Sequence, residues 1–346
     1  MVWRCKIVPH KSLSIHKLGE ETSKPVKTSD NLPSGSNQAS PEDYTDTIPK
    51  GIHLKFEAHD GEVNAVCWTP AKYLFATGGA DRKVKMWDVR LSTMKPCVTF
   101  VGSNATINSI EFDLKGSLLL TSCNDSTSRL WTVADKKLRH TLSGHSKKVM
   151  AAKFLGDASK VITGSHDRTL KIWNLQSKAC VKTFVTASSC NDLVTVYNDI
   201  FISGHHDQKI RFWDNRLKGP TNEVVVSGRV TSLDASKDGQ YLLSCTRDDT
   251  IQMLDLRTHQ IIRTFSNEHF KVPCDWSRCA FNRDDDFIAA GGHDGEIFIW
   301  NINGKLETIL KGSSAAAVTA VSWDPFSDSL ATVDRAKSCT IWGNAC

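Results

Sequence analysis

Short runs of alternating apolar and polar residues recur along the chain, and six of them end in nearly the same phrase. In each phrase an apolar residue precedes a tryptophan, and a small polar residue or a glycine follows it. The tryptophans are Trp87, Trp131, Trp173, Trp213, Trp300 and Trp342. Side chains of a strand point alternately to its two faces, so this pattern predicts short strands separated by turns.

The phrases follow one another at a nearly constant spacing. The one double gap, between Trp213 and Trp300, has Leu254 near its middle in the equivalent phrase. With Leu254 included, the chain holds seven repeats with a period of roughly 42 residues, which resembles that of WD40 repeats. Four short strands fit in each repeat. The pattern therefore predicts an all-β fold, a seven-bladed WD40 β-propeller.

Two other residue types keep the same period. An aspartate lies six residues before the terminal Trp or Leu in every repeat except the last: Asp81, Asp125, Asp167, Asp207, Asp248 and Asp294. A hydroxyl residue lies ten residues before it in every repeat except the sixth: Thr77, Thr121, Thr163, Ser203, Ser244 and Thr332. Aspartate is typical of tight turns, where its side chain holds the backbone.

Repeats one and three also contain a histidine and so carry a complete set of four polar groups. The sets are His59, Thr77, Asp81 and Trp87, and His145, Thr163, Asp167 and Trp173. We predict that each set forms a buried hydrogen-bonded chain that rigidifies its blade. A catalytic triad occurs once in a protein, whereas this set recurs with the fold, so we predict no catalytic residue. Repeat five lacks the Trp and repeat seven lacks the Asp, and we expect these blades to be less stable.

The two ends of the chain have different roles in this interpretation. Residues 52–57 alternate like a strand, and we predict that they close the ring as the outer strand of the last blade. The propeller then spans 51–346. Residues 28–50 are rich in Ser, Thr, Pro, Asn and Asp, which predicts that 1–50 form a disordered tail. Basic and apolar residues within 1–19 leave a membrane-surface or partner-binding role open for that segment.

Composition excludes several classes of function. Lys and Arg number 43 against 38 Asp and Glu, a net charge of +5 without a run of five or six like charges, so nucleic-acid binding is not expected. The 11 cysteines form no Cys-x-x-Cys pair, and no metal or other cofactor is expected. The sequence shows no signal peptide, membrane span or Gly-rich phosphate loop. These features predict a cytoplasmic, monomeric protein that is not an enzyme.

Several phrases inside the repeats are more specific than the repeat itself. They resemble the C-terminal WD40 domain of the autophagy-related protein 16-like family over nearly all of 54–342. The substitution of Leu254 for tryptophan is also a peculiarity of that family. The resemblance is carried by 56–66 (FEAHDGEVNAV), 138–142 (LRHTL), 164–171 (GSHDRTLK), 188–192 (SSCND), 209–214 (KIRFWD), 242–245 (LLSC) and 275–276 (DW).

This resemblance implies a non-enzymatic adaptor. Members of the family direct the lipidation of a ubiquitin-like modifier in autophagosome assembly, and their propeller is a targeting platform for membrane-associated proteins. The implied partners are the vacuolar proton pump or the autophagy conjugation complex, with recruitment to autophagic or endolysosomal membranes. The family's N-terminal helix and coiled coil have no counterpart in 1–50, so the chain is expected either to support or to compete with that machinery.

Positions beside the turn aspartates predict a partner-binding surface, because propellers recruit partners through loops at one face of the ring. The candidates are Lys148, His166, His206, Arg229, Arg247 and His293. A mildly basic mouth of this kind suits an acidic peptide or an acidic protein face; a solvated polar rim is the alternative. Lys209 matches a family lysine important for partner binding, and its alternative role is a strand-edge lysine that aids solubility.

A second function remains open at this point. Trp-Asp-x-Arg occurs at 87–90 and at 213–216 and resembles a motif used by substrate receptors of cullin-type ubiquitin ligases. Trp-Asp ends most WD repeats in any case, so the motif discriminates weakly.

Overall fold

The computed structural model describes residues 48–91, 95–197, 199–312 and 314–344. Within them the chain forms 28 strands, grouped into seven four-stranded antiparallel sheets, the blades. Blades 1 and 2 consist of β2 (Val63–Trp68), β3 (Leu74–Gly79), β4 (Lys83–Asp88) and β5 (Val98–Val101), then β6 (Ile107–Phe112), β7 (Leu118–Cys123), β8 (Thr127–Thr132) and β9 (Lys137–Ser143). Blades 3 and 4 consist of β10 (Val149–Leu155), β11 (Lys160–Ser165), β12 (Thr169–Asn174) and β13 (Ala179–Val185), then β14 (Cys190–Tyr197), β15 (Ile200–His205), β16 (Lys209–Asp214) and β17 (Pro220–Val225).

The remaining blades repeat this order. Blades 5 and 6 consist of β18 (Val230–Ala235), β19 (Tyr241–Thr246), β20 (Thr250–Asp255) and β21 (Gln260–Phe265), then β22 (Cys279–Phe281), β23 (Phe287–Gly291), β24 (Glu296–Asn301) and β25 (Leu306–Lys311). Blade 7 consists of β26 (Val318–Trp323), β27 (Leu330–Asp334), β28 (Ser338–Gly343) and β1 (Gly51–Glu57). The first strand of each blade packs beside the first strand of the next, and β26 returns to β2. The predicted all-β, seven-bladed propeller is therefore confirmed.

The strand β1 closes the ring, as the sequence predicted. It pairs antiparallel with β28, with Ile52 opposite Trp342 and Phe56 opposite Cys339. The Phe56 ring then packs against Trp87 of blade 1, with ring centroids 4.6 Å apart. The predicted disordered tail falls on residues 1–50, of which 1–47 lie outside the described residues, so both the tail and its boundary remain predictions.

The core lies between blades, where each blade packs its side chains against the next. Between blades 3 and 4, Phe184, Phe201 and Trp213 pack together, and all three are buried. Glycine permits the closest approaches. A Cβ atom at Gly204 or Gly291 would lie only 2.3 Å from a methyl group of the following blade, far inside the van der Waals distance.

The complete polar sets of blades 1 and 3 form the same hydrogen-bonded chain. In blade 1, Trp87 Nε1 donates to Thr77 Oγ1 over 2.8 Å, Thr77 lies 2.8 Å from His59 Nε2, and His59 Nδ1 lies 2.8 Å from Asp81. Asp81 also accepts a bond from the backbone of Lys83, which holds the turn.

The chain of blade 3 has the same three distances. Its members are His145, Thr163, Asp167 and Trp173, and each of the three side-chain contacts measures 2.8 Å. We propose that these chains rigidify the turns that present the loop residues.

Blade 4 builds its chain with a histidine at a different position. Trp213 Nε1 donates to Ser203 Oγ over 2.7 Å, and Ser203 Oγ lies 2.7 Å from His205 Nε2. Burial, together with the charge of nearby Arg211, lowers the pKa of His205 to about 4, so the ring is neutral and its Nε2 accepts a hydrogen bond from the Ser203 hydroxyl. In this blade the turn aspartate, Asp207, forms an ion pair with Arg211, whose Nη2 lies 2.6 Å from it.

Blade 5 contains an incomplete version of the chain. Leu254 replaces the tryptophan, and the buried Ser244 Oγ has no hydrogen-bond partner. In blade 7 Trp342 still donates to Thr332 over 2.8 Å, although Ala336 replaces the turn aspartate. The lower stability expected for these two blades remains a prediction.

Removing residues 1–57 deletes β1 and leaves β28 as an unpaired edge. We expect the melting temperature to fall by several degrees relative to the intact chain, because the ring loses a strand and the cover of its edge. Thermal melting followed by circular dichroism measures this. A chain that starts at Ile48 is the matched control and should melt like the intact protein; an unchanged melting curve for the longer deletion would refute closure by β1.

Replacing either of two buried serines with alanine tests whether the hydrogen-bonded chains stabilise the fold. Ser203→Ala leaves the Trp213 N–H and the His205 Nε2 without a partner, and we expect a loss of about 1–3 kcal/mol in the free energy of unfolding. Ser244→Ala removes a hydroxyl that has no partner, so the change should stay within about 0.5 kcal/mol or stabilise the fold. Urea unfolding measures both, and equal losses would show that the chain does not stabilise blade 4.

Candidate functional site

One end of the ring carries the turns between the second and third strands of each blade together with the loops that join consecutive blades. We call this end the turn face. Six of the seven candidate residues lie on it. Lys148 and Arg229 directly precede the inner strands β10 and β18. The other four follow the second strands of blades 3 to 6: His166, His206, Arg247 and His293. The seventh, Lys209, is the first residue of β16.

Three of the candidates converge on the turn face. Arg229 Nη1 donates to His206 Nε2 over 2.9 Å. The same nitrogen lies 3.6 Å from Asp275 Oδ2, and Arg247 Nε lies 3.4 Å from Asp275 Oδ1. Arg247 also donates from Nη1 to the carbonyl of Val272. We call Arg229, Asp275 and Arg247 the arginine bridge; it joins blade 5 to the loop before blade 6.

Asp275 was not among the predicted binding residues, although the sequence contained a signal for it. It lies in the loop 266–278, the longest connection between consecutive blades in the described structure. It also occupies the register in which Lys148 and Arg229 stand in their own repeats. The lengthened loop is the sequence signal, since the register itself is also acidic in the first repeat, at Glu62.

The histidines of the turn face differ in their surroundings. His166 Nε2 lies 3.0 Å from Asn191 Oδ1. Burial lowers the pKa of His166, and the charge of Lys148 lowers it further, so His166 supplies a hydrogen bond at neutral pH and no charge. His293 is exposed on blade 6. Among the predicted candidates, those that bring a full positive charge to this face are Lys148, Arg229 and Arg247.

Lys209 belongs to a separate group on blade 4. Its Nζ lies 2.7 Å from Glu223 Oε2, and Arg211 Nε lies 2.7 Å from Glu223 Oε1. The hydrogen bond from Lys209 lowers the pKa of Glu223. Lys209 lies opposite Val225 of the adjacent strand β17, and Val225 is 65% exposed. Lys209 thus stands beside an exposed apolar residue and is partly neutralised by its own blade.

The opposite face of the ring carries a groove of about 680 Å³. Its apolar walls include Phe112, Leu114, Phe154 and Tyr197, of which Leu114 is 89% exposed. None of the predicted binding residues lines this groove.

Three other features bear on function: metal-binding groups, membrane-spanning helices and the Trp-Asp-x-Arg motifs. Among them, no group of three or more His, Cys, Asp or Glu side chains is placed to hold a metal ion. In the same part of the chain, no helix has the length and apolar character needed to cross a membrane. The Trp-Asp-x-Arg arginines both fold back on their own motif: Arg90 and Arg216 each place Nη2 2.6 Å from the preceding aspartate, Asp88 and Asp214.

Six segments of the chain match the family model described as WD domain, G-beta repeat: residues 52–88, 94–132, 136–174, 220–255, 260–301 and 304–343. These segments cover more than half of the chain, which belongs to the WD40-repeat proteins. The interval between the third and fourth segments holds most of blade 4, whose four strands are nevertheless present. The relocated histidine of that blade is one way in which it departs from the common repeat.

The more specific likeness is to proteins of autophagy. The chain is 36% identical over 312 residues to autophagic-related protein 16.2 of Caenorhabditis elegans, covering 86% of the chain and 57% of that relative. It is 40% identical over 296 residues to protein Atg16l2 of Mus musculus, covering 85% and 47%. It is 31% identical over 310 residues to autophagy-related protein 16 of Arabidopsis thaliana, covering 87% and 60%. The propeller is an autophagy-related protein 16-like WD40 domain, and the chain spans about half the length of these relatives.

Proposed function

We propose that this protein is a non-enzymatic scaffold of the autophagy machinery that binds protein partners through the turn face of its propeller. The observation that carries the proposal is the match of nearly the whole ring to autophagy-related protein 16 relatives, joined to a cationic cluster on one face. A closed ring of this kind presents loops on a rigid frame, which is how WD40 domains serve as binding platforms.

The charge of the turn face favours an acidic partner. Lys148, Arg229 and Arg247 contribute three cations, and Asp275 offsets one of them. Such a surface attracts an acidic peptide or protein face and accelerates the encounter. The resemblance to the family suggests which proteins supply it: membrane-associated partners such as the vacuolar proton pump, or components of the conjugation complex. Through them the protein would reach autophagic or endolysosomal membranes from the cytoplasm.

Lys209 offers a second contact on the side of blade 4. Its ion pair with Glu223 is partly exposed, so its contribution to stability is small and a partner's carboxylate can replace Glu223 at little cost. The exposed Val225 opposite Lys209 adds apolar area to such a contact. We propose that Lys209 extends the binding surface outward from the turn face.

The ligase-receptor alternative gains no support. Arg90 and Arg216 are each held by an aspartate of their own motif, and the three relatives described above are named for autophagy. The single observation that favoured this function was the motif itself, which the fold explains.

Affinity purification from cells tests the proposal. Lys209→Ala and the double variant Arg229→Gln, Arg247→Gln should each lose autophagy membrane proteins or proton-pump subunits by about ten-fold or more relative to the intact chain, because each removes a charged anchor. Quantitative mass spectrometry of the co-purified proteins is the measurement.

Lys115→Ala is the matched control, since Lys115 is an exposed lysine on the opposite face. It should retain the same partners as the intact chain. If all the variants retrieve one common set of proteins, the turn face is not the binding surface. If a ligase adaptor dominates every sample, the autophagy assignment is wrong for this chain.

A further inference from the structure

The arginine bridge holds its carboxylate loosely. The distances from Asp275 to Arg229 and Arg247 are 3.6 Å and 3.4 Å, which are ion-pair distances beyond those of a good hydrogen bond between a guanidinium and a carboxylate. Arg247 Nε forms no hydrogen bond at all and is shielded from solvent. Two guanidinium groups are thus drawn to one anion without either binding it in the forked geometry that arginine favours.

The other contacts of the two arginines fix their positions. Arg229 donates to His206, and Arg247 donates to the carbonyl of Val272. Each contact uses one of the five N–H donors of its guanidinium, so most of the donors are left over. The side chains of Arg229 and Arg247 are 39% and 29% exposed, and an external group can reach them.

We propose that the arginine bridge is a receptor for an aspartate or glutamate side chain of a partner, and that Asp275 is an internal carboxylate that competes with it. This inference rests on the proposed function and names the chemical group that the turn face would bind, a side-chain carboxylate. The partner's carboxylate accepts charge-assisted hydrogen bonds from the donors that Asp275 leaves unused. Asp275 keeps the two like charges together in the free protein and lowers the net charge that a partner meets.

Direct binding of a defined probe tests both halves of the proposal. The probe is a fluorescein-labelled, C-terminally amidated peptide of alternating Ser and Glu, and its counterpart of alternating Ser and Gln lacks the charge. Fluorescence anisotropy with the full chain gives the dissociation constants. We expect the Glu peptide to bind and the Gln peptide to bind at least about ten-fold more weakly, because the receptor needs an ionised acceptor.

The variants separate the receptor from its internal competitor. Arg229→Gln and Arg247→Gln should each weaken binding of the Glu peptide by about ten-fold. Asp275→Asn keeps the shape of the side chain and removes the competing charge, so it should strengthen binding by about two- to five-fold. Arg257→Gln is the matched control: this arginine also neighbours an aspartate, at 3.9 Å, but it is 84% exposed and lies on the opposite face.

Each outcome bears on the proposal. Unchanged binding by both arginine variants, or an equal loss with Arg257→Gln, would overturn the receptor. Weaker binding by Asp275→Asn, with an unchanged thermal melting curve, would overturn the role of Asp275 as a competitor. Cellular partners that survive in the arginine variants while Lys209→Ala loses them would refute the receptor and leave the scaffold function standing.

Discussion

The backbone pairing of β1 with β28 is the constraint on which the rest of the structure depends. A propeller has no other point at which its two ends must meet, and the six remaining sheets take all four strands from consecutive stretches of chain. Since β1 comes from before the first blade, its pairing turns a row of blades into a ring. The ring then fixes the distances between loops of different blades, and every contact on the turn face relies on those distances.

Within that ring, one structural task is performed by different residues in different blades. The tryptophan N–H needs a hydroxyl, and the hydroxyl needs a second partner, because both groups are buried. His59 fills that need from the loop before blade 1, whereas His205 fills it from the end of β15 in blade 4. Blade 5 drops the tryptophan and leaves Ser244 unpaired. Blade 2 likewise leaves the buried Trp131 N–H without a partner, so a histidine completes the chain only in blades 1, 3 and 4 among those described.

The proposed binding surface depends on contacts between residues of different blades. Arg229, Arg247 and Asp275 all stand at ordinary repeat positions, and Asp275, from the loop before blade 6, lies within ion-pair distance of both arginines of blade 5. The contact of Lys209 lies within one blade, since its partner Glu223 comes from the adjacent strand of the same sheet. The ion pairs of Asp275 are long, at 3.6 Å and 3.4 Å, whereas that of Lys209 is a short hydrogen bond of 2.7 Å.

The sequence by itself determined the number of blades, the closing strand and the members of the polar chains in blades 1 and 3. All of these follow from a period, because residues that recur in phase must occupy equivalent positions in equivalent sheets. Tertiary structure alone decided which surface residues meet: His206, Arg229 and Arg247 are joined, whereas His293 and Lys209 are not part of that cluster. It also decided that Asp275 faces the arginines and that His205 replaces a missing histidine. Such contacts depend on the distance between neighbouring blades and on the path of one irregular loop, and neither is encoded in the spacing of a repeat.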